Sequence, residues 1–320
     1  MRGTEPPSHH RAWTWQSGRD PHGLALAERP VAPPRPGEVL VRNAVIGLNP
    51  VDWKVLGSDT WRPGKVPGCD GAGIVIAAGA DVPGAWLGQR VAYHTWLGGR
   101  GSFAETTPVA ARALLPVPAA LDLEVAASVP CPGLTAWLAL GKLPAQPGIL
   151  LVAGAGGGVG TYLVPLAIRA GWKVTAQCHP RHHDRLVAQG AAVLPWNAEL
   201  PRAAYGAAID LRGPEAAAGL FPHLRANGHL VCIQGRVGGW GGEAFARCIS
   251  LHEVALGALH VHGDARDWHA LRRAAAGIFD DLVTARLAPE PALARDFECL
   301  PAHLQALKDR DFSGKALIRV

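Results

Sequence analysis

The segment Ile149-Leu-Leu-Val-Ala-Gly-Ala-Gly-Gly-Gly-Val-Gly-Thr-Tyr-Leu-Val164 runs from an apolar strand-like stretch through a glycine cluster into a helix-like pattern. That order suits phosphate binding, because free amides at a helix N-terminus and the positive end of its dipole both face an anion. Aligned on GxGxxG, Ala155 takes the tight turn, Gly157 stands where backbone meets a pyrophosphate, and Gly160 where helix packs on strand. The candidate contact set also includes Gly158 and Val159. Dinucleotide binding is expected; the competing reading is a glycine turn that only packs. About 20 residues further on, a carboxylate would mark selection of a ribose 2′-hydroxyl. The chain instead reads Thr175-Ala-Gln-Cys178-His179-Pro-Arg181-His182-His183, with no carboxylate before Asp184. Arg181 suits a 2′-phosphate through two parallel hydrogen bonds, helped by His179, His182 or His183, so NADPH is expected over NADH. A solvated basic loop is the alternative. The same Cys and His residues lack a second ligand set, and no metal is expected there.

These groups must be carried by regular elements. From Leu121 onward, Ala-rich helical windows alternate with apolar runs at Ile149–Ala153, Lys173–Gln177, Ala191–Leu194, Ala207–Leu211, His229–Ile233 and Ala255–His260. Six buried strands with helices between them predict an α/β fold, a doubly wound parallel sheet of the Rossmann type. Gln234, Gly235 and Arg236 would then end one strand on the sheet's carboxyl edge, and Leu259 and His260 another, so both turns should border the cofactor crevice. The first third carries shorter β-type runs, Val39–Ala44, Gly73–Ala78, Arg90–Tyr93 and Phe103–Thr107, between Gly/Pro clusters. After Asp267 come a helical window at Trp268–Leu282, the segment Phe297–Leu300, a further helix and a last strand at Ala316–Val320. Three segments are expected: a β-rich domain over 1–118, the dinucleotide domain over 119–267, and a tail over 268–320 that rejoins the first.

Composition narrows the class. The 320 residues are 48% apolar and 18% charged, which excludes a coil or fibre and argues for folded domains. The net charge of +5 comes from scattered arginines without a dense basic run, which fits an anionic small ligand and argues against nucleic acid. Six cysteines lie far apart with no CxxC pair, as expected of reduced thiols in the cytoplasm. The start lacks the order of a secretory signal, and the most apolar stretches are broken by Gly and Pro, so no membrane span is expected.

Together, Gly47-Leu-Asn-Pro-Val-Asp-Trp-Lys54, Val66-Pro-Gly-Cys-Asp-Gly-Ala-Gly-Ile-Val75, Gly88-Gln-Arg-Val91, Gly101-Ser-Phe-Ala-Glu105, Gly133-Leu-Thr-Ala-Trp137, the glycine turn and Ser313-Gly-Lys315 are specific in this order. Through them the chain resembles the medium-chain dehydrogenase/reductase superfamily, in its zinc-free quinone oxidoreductase (zeta-crystallin-like) branch. The resemblance implies a β-rich GroES-like catalytic domain beside the dinucleotide domain, an active cleft at their junction, and a homodimer paired through edge strands. It implies an NADPH-dependent, zinc-independent enzyme that passes hydride to a quinone or an α,β-unsaturated carbonyl. Zinc alcohol dehydrogenases of the superfamily carry a Cys before the first helix and Gly-His-Glu where this chain has Gly68-Cys69-Asp70. Here Asn49 and Pro50 occupy the first place, leaving only Cys69 and Asp70 as donors, and no metal is expected.

The resemblance places Asn49 beside the nicotinamide, to orient the ring or donate to the substrate oxygen. Asn-Pro-Val-Asp also reads as a helix N-cap with Pro at N1 and an acid at N3, so both roles stay open. Lys54 is set to contact an acceptor oxygen or to face water. Thr135 lines the nicotinamide pocket by resemblance, or bonds back to its own helix. Lys315 lies near the cofactor by resemblance, or guards a sheet edge. Trp53, Trp61 and Trp96 should ring the substrate mouth, where flat rings stack on planar acceptors, with core packing as the rival reading. Tyr93 is the one tyrosine of the β-rich region that offers a proton, and His260 and His262 are the histidines to test as donors. Two other functions compete: an NADPH-binding redox sensor or RNA-binding protein with lapsed catalysis, and a zinc-type alcohol dehydrogenase.

Overall fold

The computed structural model describes residues 6–320, which form two compact units. One contains the chain up to Cys131 together with Gly257–Val320; the other is Pro132–Leu256. In the first, a seven-stranded sheet runs in the order Ala292–Asp296, Lys315–Arg319, Glu38–Gly47, Asp70–Ala78, Arg90–His94 and Leu114–Pro116, with Thr106–Ala110 also paired to Glu38–Gly47. The last strand, Lys315–Arg319, lies antiparallel to Glu38–Gly47, so the end of the chain completes a sheet begun by its start. Its inner face packs Ile46, Leu48, Leu56, Trp61, Phe103 and Ile318 together with Phe297, Leu300 and Leu304. The helix Ala265–Val283 is capped by Asp264, which accepts from the amides of Arg266 and Asp267. It buries Trp268, Leu271, Ala275 and Ile278, the three-to-four spacing of one helix face.

The second unit is a six-stranded sheet in the order Ala192–Pro195, Lys173–Cys178, Ile149–Ala153, Tyr205–Asp210, Leu224–Cys232 and Ser250–Glu253, with every neighbouring pair parallel. Central strands of a parallel sheet are covered on both faces, which is why Ile149–Ala153 is apolar without alternation. The fold is thus α/β, a Rossmann-type sheet plus a β-rich unit.

The sixth strand departs from expectation. Ala255–His260 is not a strand: Leu256–His262 is a helix, and the sheet ends at Glu253. The run Leu-Gly-Ala-Leu-His lacks β-branched residues and favours helix, whereas Ser250–Glu253 is too polar to stand out as a buried strand. Leu259 and His260 therefore do not sit at the sheet's carboxyl edge. The pair His9–Trp15 and Leu24–Pro30, which form a separate two-stranded sheet, and the short strands Leu114–Pro116 and Ala292–Asp296 had no clear pattern in the sequence. No helix among the described residues is long and apolar enough to cross a membrane.

Candidate functional site

In the β-rich unit, Gly47 ends a long strand and Asn49 stands at the N-cap of the helix Pro50–Lys54, with Pro50 at N1. Asp52 at N3 accepts from the Asn49 amide at 2.7 Å, which fixes the turn. The Asn49 side chain points into the protein. Its Nδ2 donates to Asp70 Oδ2 at 2.9 Å, to the Gly47 carbonyl at 3.2 Å and to Cys69 Sγ at 3.5 Å, while Oδ1 accepts from Lys315 Nζ at 2.6 Å. Asp70 Oδ2 also accepts from the Cys131 amide at 2.9 Å, which ties the helix Pro130–Leu140 to the strand Asp70–Ala78. Asn49, Asp52, Cys69, Asp70 and Lys315 are all buried.

Burial dominates the electrostatics of this cluster. It raises Asp52 to about 7 and Asp70 to about 6, with Lys315 pulling both the other way. It pushes the Cys69 thiol up as well. Asp52 Oδ1 and Asp70 Oδ1 have no hydrogen-bond partner among the described residues, which such carboxyls tolerate better when protonated. Beside them, Cys69, His94 and Cys131 place their ligand atoms within 4.8 Å of one another. His94 Nδ1 lies 3.1 Å from His260 Nε2, and burial lowers His94 to about 3 and His260 to about 4, so both rings are neutral and one donates to the other.

The glycine turn of the second unit is built differently. The Gly154 and Ala155 amides both donate to the Gln177 carbonyl, closing the turn against the next strand, and Gly154 has a φ of +88° that favours glycine. A Cβ at Gly160 would lie 2.0 Å from the Ala155 carbonyl oxygen, so the helix Gly158–Arg169 packs directly on the turn. A Cβ at Gly157 would meet nothing within 4 Å. The backbone is thus bare at the helix N-terminus, where a pyrophosphate approaches it, and the turn fits a dinucleotide. His182 packs on Gly156, and Arg185 reaches the Gly156 carbonyl at 3.3 Å and Thr161 Oγ1 at 3.2 Å. Arg181 is exposed, with Nε on His182 Nε2 at 3.1 Å, and Cys178 ends the strand, buried.

Several expected site residues lie elsewhere. Tyr93 is fully buried and donates to Asn43 Oδ1 at 2.6 Å; its hydroxyl presses on Gly71, so it is a core residue and not a substrate donor. Trp61 is core as well, edge-on to Trp15 at 5.9 Å. Trp53 is half-buried against the same core, whereas Trp96 is 48% exposed. Lys54 is exposed, with its ammonium over the Trp53 ring. Arg236 is exposed and paired on two nitrogens with Glu253, and Gly235 turns beside Pro214. His262 is exposed at a helix end. Thr135 is buried in the helix Pro130–Leu140. Lys315 is on an internal strand and not at a sheet edge. The donor count for a metal also needs correcting: His94 and Cys131 join Cys69. Sequence reading missed them because positions 69, 94 and 131 have no motif spacing; strand pairing brings the first two together and the Asp70–Cys131 bond the third.

Residues 35–119 match the family described as the alcohol dehydrogenase GroES-like domain. This match agrees with the resemblance to the medium-chain dehydrogenase/reductase superfamily. It is 32% identical over 209 residues to a chloroplastic quinone oxidoreductase of Triphysaria versicolor, covering 61% of this chain and 59% of that protein. It is 30% identical over 197 residues to a trans-enoyl reductase of Xenoacremonium sinensis, covering 55% and 53%. The chain thus matches a little over half the length of these curated relatives. Among solved structures, a putative NADPH:quinone reductase from Bacillus thuringiensis superposes with a TM-score of 0.86 at 21% identity, over 98% of this chain and 99% of that one. A thermostable alcohol dehydrogenase from Pyrobaculum aerophilum gives 0.79 at 25% identity, over 98% and 100%. The Rossmann-type unit implies a nicotinamide dinucleotide.

Proposed function

We propose that this chain is an NADPH-dependent reductase of a quinone or an α,β-unsaturated carbonyl, with no metal in the chemical step. The observation that carries the reading is the glycine turn, bare at Gly157 and followed by basic residues where a carboxylate would select NADH. Relatives named quinone oxidoreductase and trans-enoyl reductase support the acceptor class.

Bound reduced nicotinamide supplies the hydride. The chain's own residues do the rest. Amides of Gly157 to Gly160 hold the pyrophosphate, and Arg181 pairs with the 2′-phosphate, with His182 and Arg185 bracing the glycine turn beside it. A conjugated acceptor is already electron-poor, so it needs hydrogen-bond donors at its oxygen rather than a strong Lewis acid. Asn49 spends both amide hydrogens on Asp70, Gly47 and Cys69. We therefore assign it a positioning role, with Lys315 behind it, and not direct donation. The further proposals are a cytoplasmic setting, consistent with six free cysteines, and a homodimer paired through the edge strand Ser250–Glu253, which exposes unpaired backbone groups.

The test is a titration with NADPH and NADH followed by turnover with ortho-quinones and enones. NADPH should bind about tenfold or more tightly than NADH, and Arg181→Ala should erase that preference. Equal binding in the parent would remove the 2′-phosphate assignment. Tight NADPH binding with no turnover on any conjugated acceptor would leave a cofactor-binding sensor in place of an enzyme.

A further inference from the structure

We propose that a cavity of about 460 Å³ in the β-rich unit, walled by Trp86, Arg112, Trp268 and Arg272, binds a planar aromatic carboxylate. Three separate stretches of the chain build it. Trp86 ends the turn Gly84–Trp86 between the strands Asp70–Ala78 and Arg90–His94. Arg112 stands in the turn Ala111–Ala113 that follows the strand Thr106–Ala110. Trp268 and Arg272 lie four residues apart on the helix Ala265–Val283, so both project from one face of it.

The cavity carries cations that the protein does not neutralise. Arg11, Arg100, Arg236, Arg286 and Arg319 each pair with a carboxylate, whereas Arg112 and Arg272 meet none among the described residues. The acid in the wall, Asp264, accepts from the amides of Arg266 and Asp267 and is committed to the helix cap. The helix amides are thereby satisfied, and side chains make the site. A carboxylate suits them, because a planar guanidinium clasps its two oxygens through parallel hydrogen bonds. Arg112 is already held in place: its guanidinium lies over the Trp268 ring at 5.4 Å, and Nη2 donates to the His260 carbonyl at 3.0 Å. Its other N–H groups have no acceptor among the described residues.

The other walls select the body of the ligand. Trp86, Trp268 and Pro83 offer flat apolar surface, on which a planar ring stacks better than a puckered one. Trp268 supplies a second, independent observation: it is 4% exposed, and its Nε1–H has no acceptor among the described residues. A buried donor without a partner is costly. A carboxylate drawn to this ring by Arg112 brings the acceptor that the donor lacks. The volume lies in the range of small-ligand sites, about 300 to 1,000 Å³, and suits one or two fused rings. The site goes beyond the reductase reading and uses no residue of the glycine turn.

The experiment titrates the full-length protein at pH 7 with 2-naphthoate in a calorimeter. Two analogues run beside it: 2-naphthol, which keeps the rings and loses the carboxylate, and cyclohexanecarboxylate, which keeps the charge and loses the plane. One equivalent of naphthoate should bind, with each analogue about tenfold weaker or more. Added salt should weaken naphthoate and leave naphthol unchanged. Arg272→Met should cost about tenfold or more in naphthoate affinity, and Arg112→Lys, which keeps the charge and loses the fork, should weaken it as well. Circular dichroism and melting temperature of Arg272→Met should match the parent, since Arg272 has no carboxylate partner to lose. NADPH should not displace the probe. No binding at millimolar naphthoate, equal affinity for naphthoate and naphthol, parental affinity in Arg272→Met, or displacement by NADPH would each overturn the site. NADPH oxidation with a conjugated acceptor reads the reductase assignment separately, so either proposal can fail alone.

Discussion

The glycine turn draws its contacts from one stretch, Gly154 to Arg185, whereas the buried polar cluster is gathered from Asn49, Asp70, His94, Cys131 and Lys315 across most of the chain. The turn is open where a ligand would lie: a Cβ at Gly157 meets nothing. The cluster is closed, and Asn49 has spent both donors and its acceptor on protein partners. A site made of bare backbone fails when something is added to it. A site made of mutually satisfied side chains fails when something is removed, because the remaining buried groups lose their partners.

The strongest way to break this contrast is at Gly160. Gly160→Val puts a side chain 2.0 Å from a backbone carbonyl that cannot yield, so urea unfolding should show a loss of about 3 kcal/mol or more, with no NADPH binding left. Gly157→Ala should instead melt like the parent while its affinity for NADPH drops about 10- to 100-fold. If Gly157→Ala also destabilised the fold, the turn would not be open in the way described.

In the closed cluster, Lys315→Met strips the cation from Asn49 and from the two carboxyls near it. Unfolding free energy should fall by about 2 to 3 kcal/mol, and turnover should fall with it. Tyr93→Phe separates core from catalysis: it leaves Asn43 Oδ1 without its donor and should lower stability by about 1 to 2 kcal/mol. Turnover of the folded variant should stay unchanged; a large loss in kcat would return Tyr93 to the reaction.

The smallest expected effect concerns Lys65, whose Nζ is buried without a hydrogen-bond partner among the described residues, over the Trp61 ring at 5.4 Å. Burial lowers it from 10.5 to about 8. Between those two values the unfolded chain binds more protons than the folded one, so stability should rise with pH across that window. Lys65→Met should flatten the rise and stabilise the protein at pH 7 by about 1 to 2 kcal/mol. Chemical unfolding at pH 7, 8.5 and 10 measures both.

Legibility in the sequence follows the same division. The glycine turn and its parallel sheet announce themselves because strand, turn and helix are contiguous and their periodicities are local. The order of motifs from Gly47 to Lys315 was enough to show the resemblance to the superfamily. What pattern could not supply was direction and distance. Tyr93 falls on a short alternating strand with nothing to say that its ring faces Asn43, and Trp61 looks like a loop residue until Trp15 packs on it from a strand that left no clear signal. His94 and Cys131 carry no spacing that relates them to Cys69, since strand pairing and one side-chain bond to a helix amide bring them together. The misplaced last strand of the parallel sheet shows the same limit, because an edge strand as polar as Ser-Leu-His-Glu is defined by its neighbour and not by its own composition.

The central claim is hydride delivery to a conjugated carbon or quinone oxygen. It is tested most directly by supplying chelator-treated protein with NADPH deuterated at the reactive ring carbon, together with an enone. The account predicts stoichiometric loss of the reduced-nicotinamide absorbance and one deuterium on the β-carbon of the saturated product. Bound but unoxidised NADPH, or deuterium at the carbonyl carbon of an alcohol product, would contradict it.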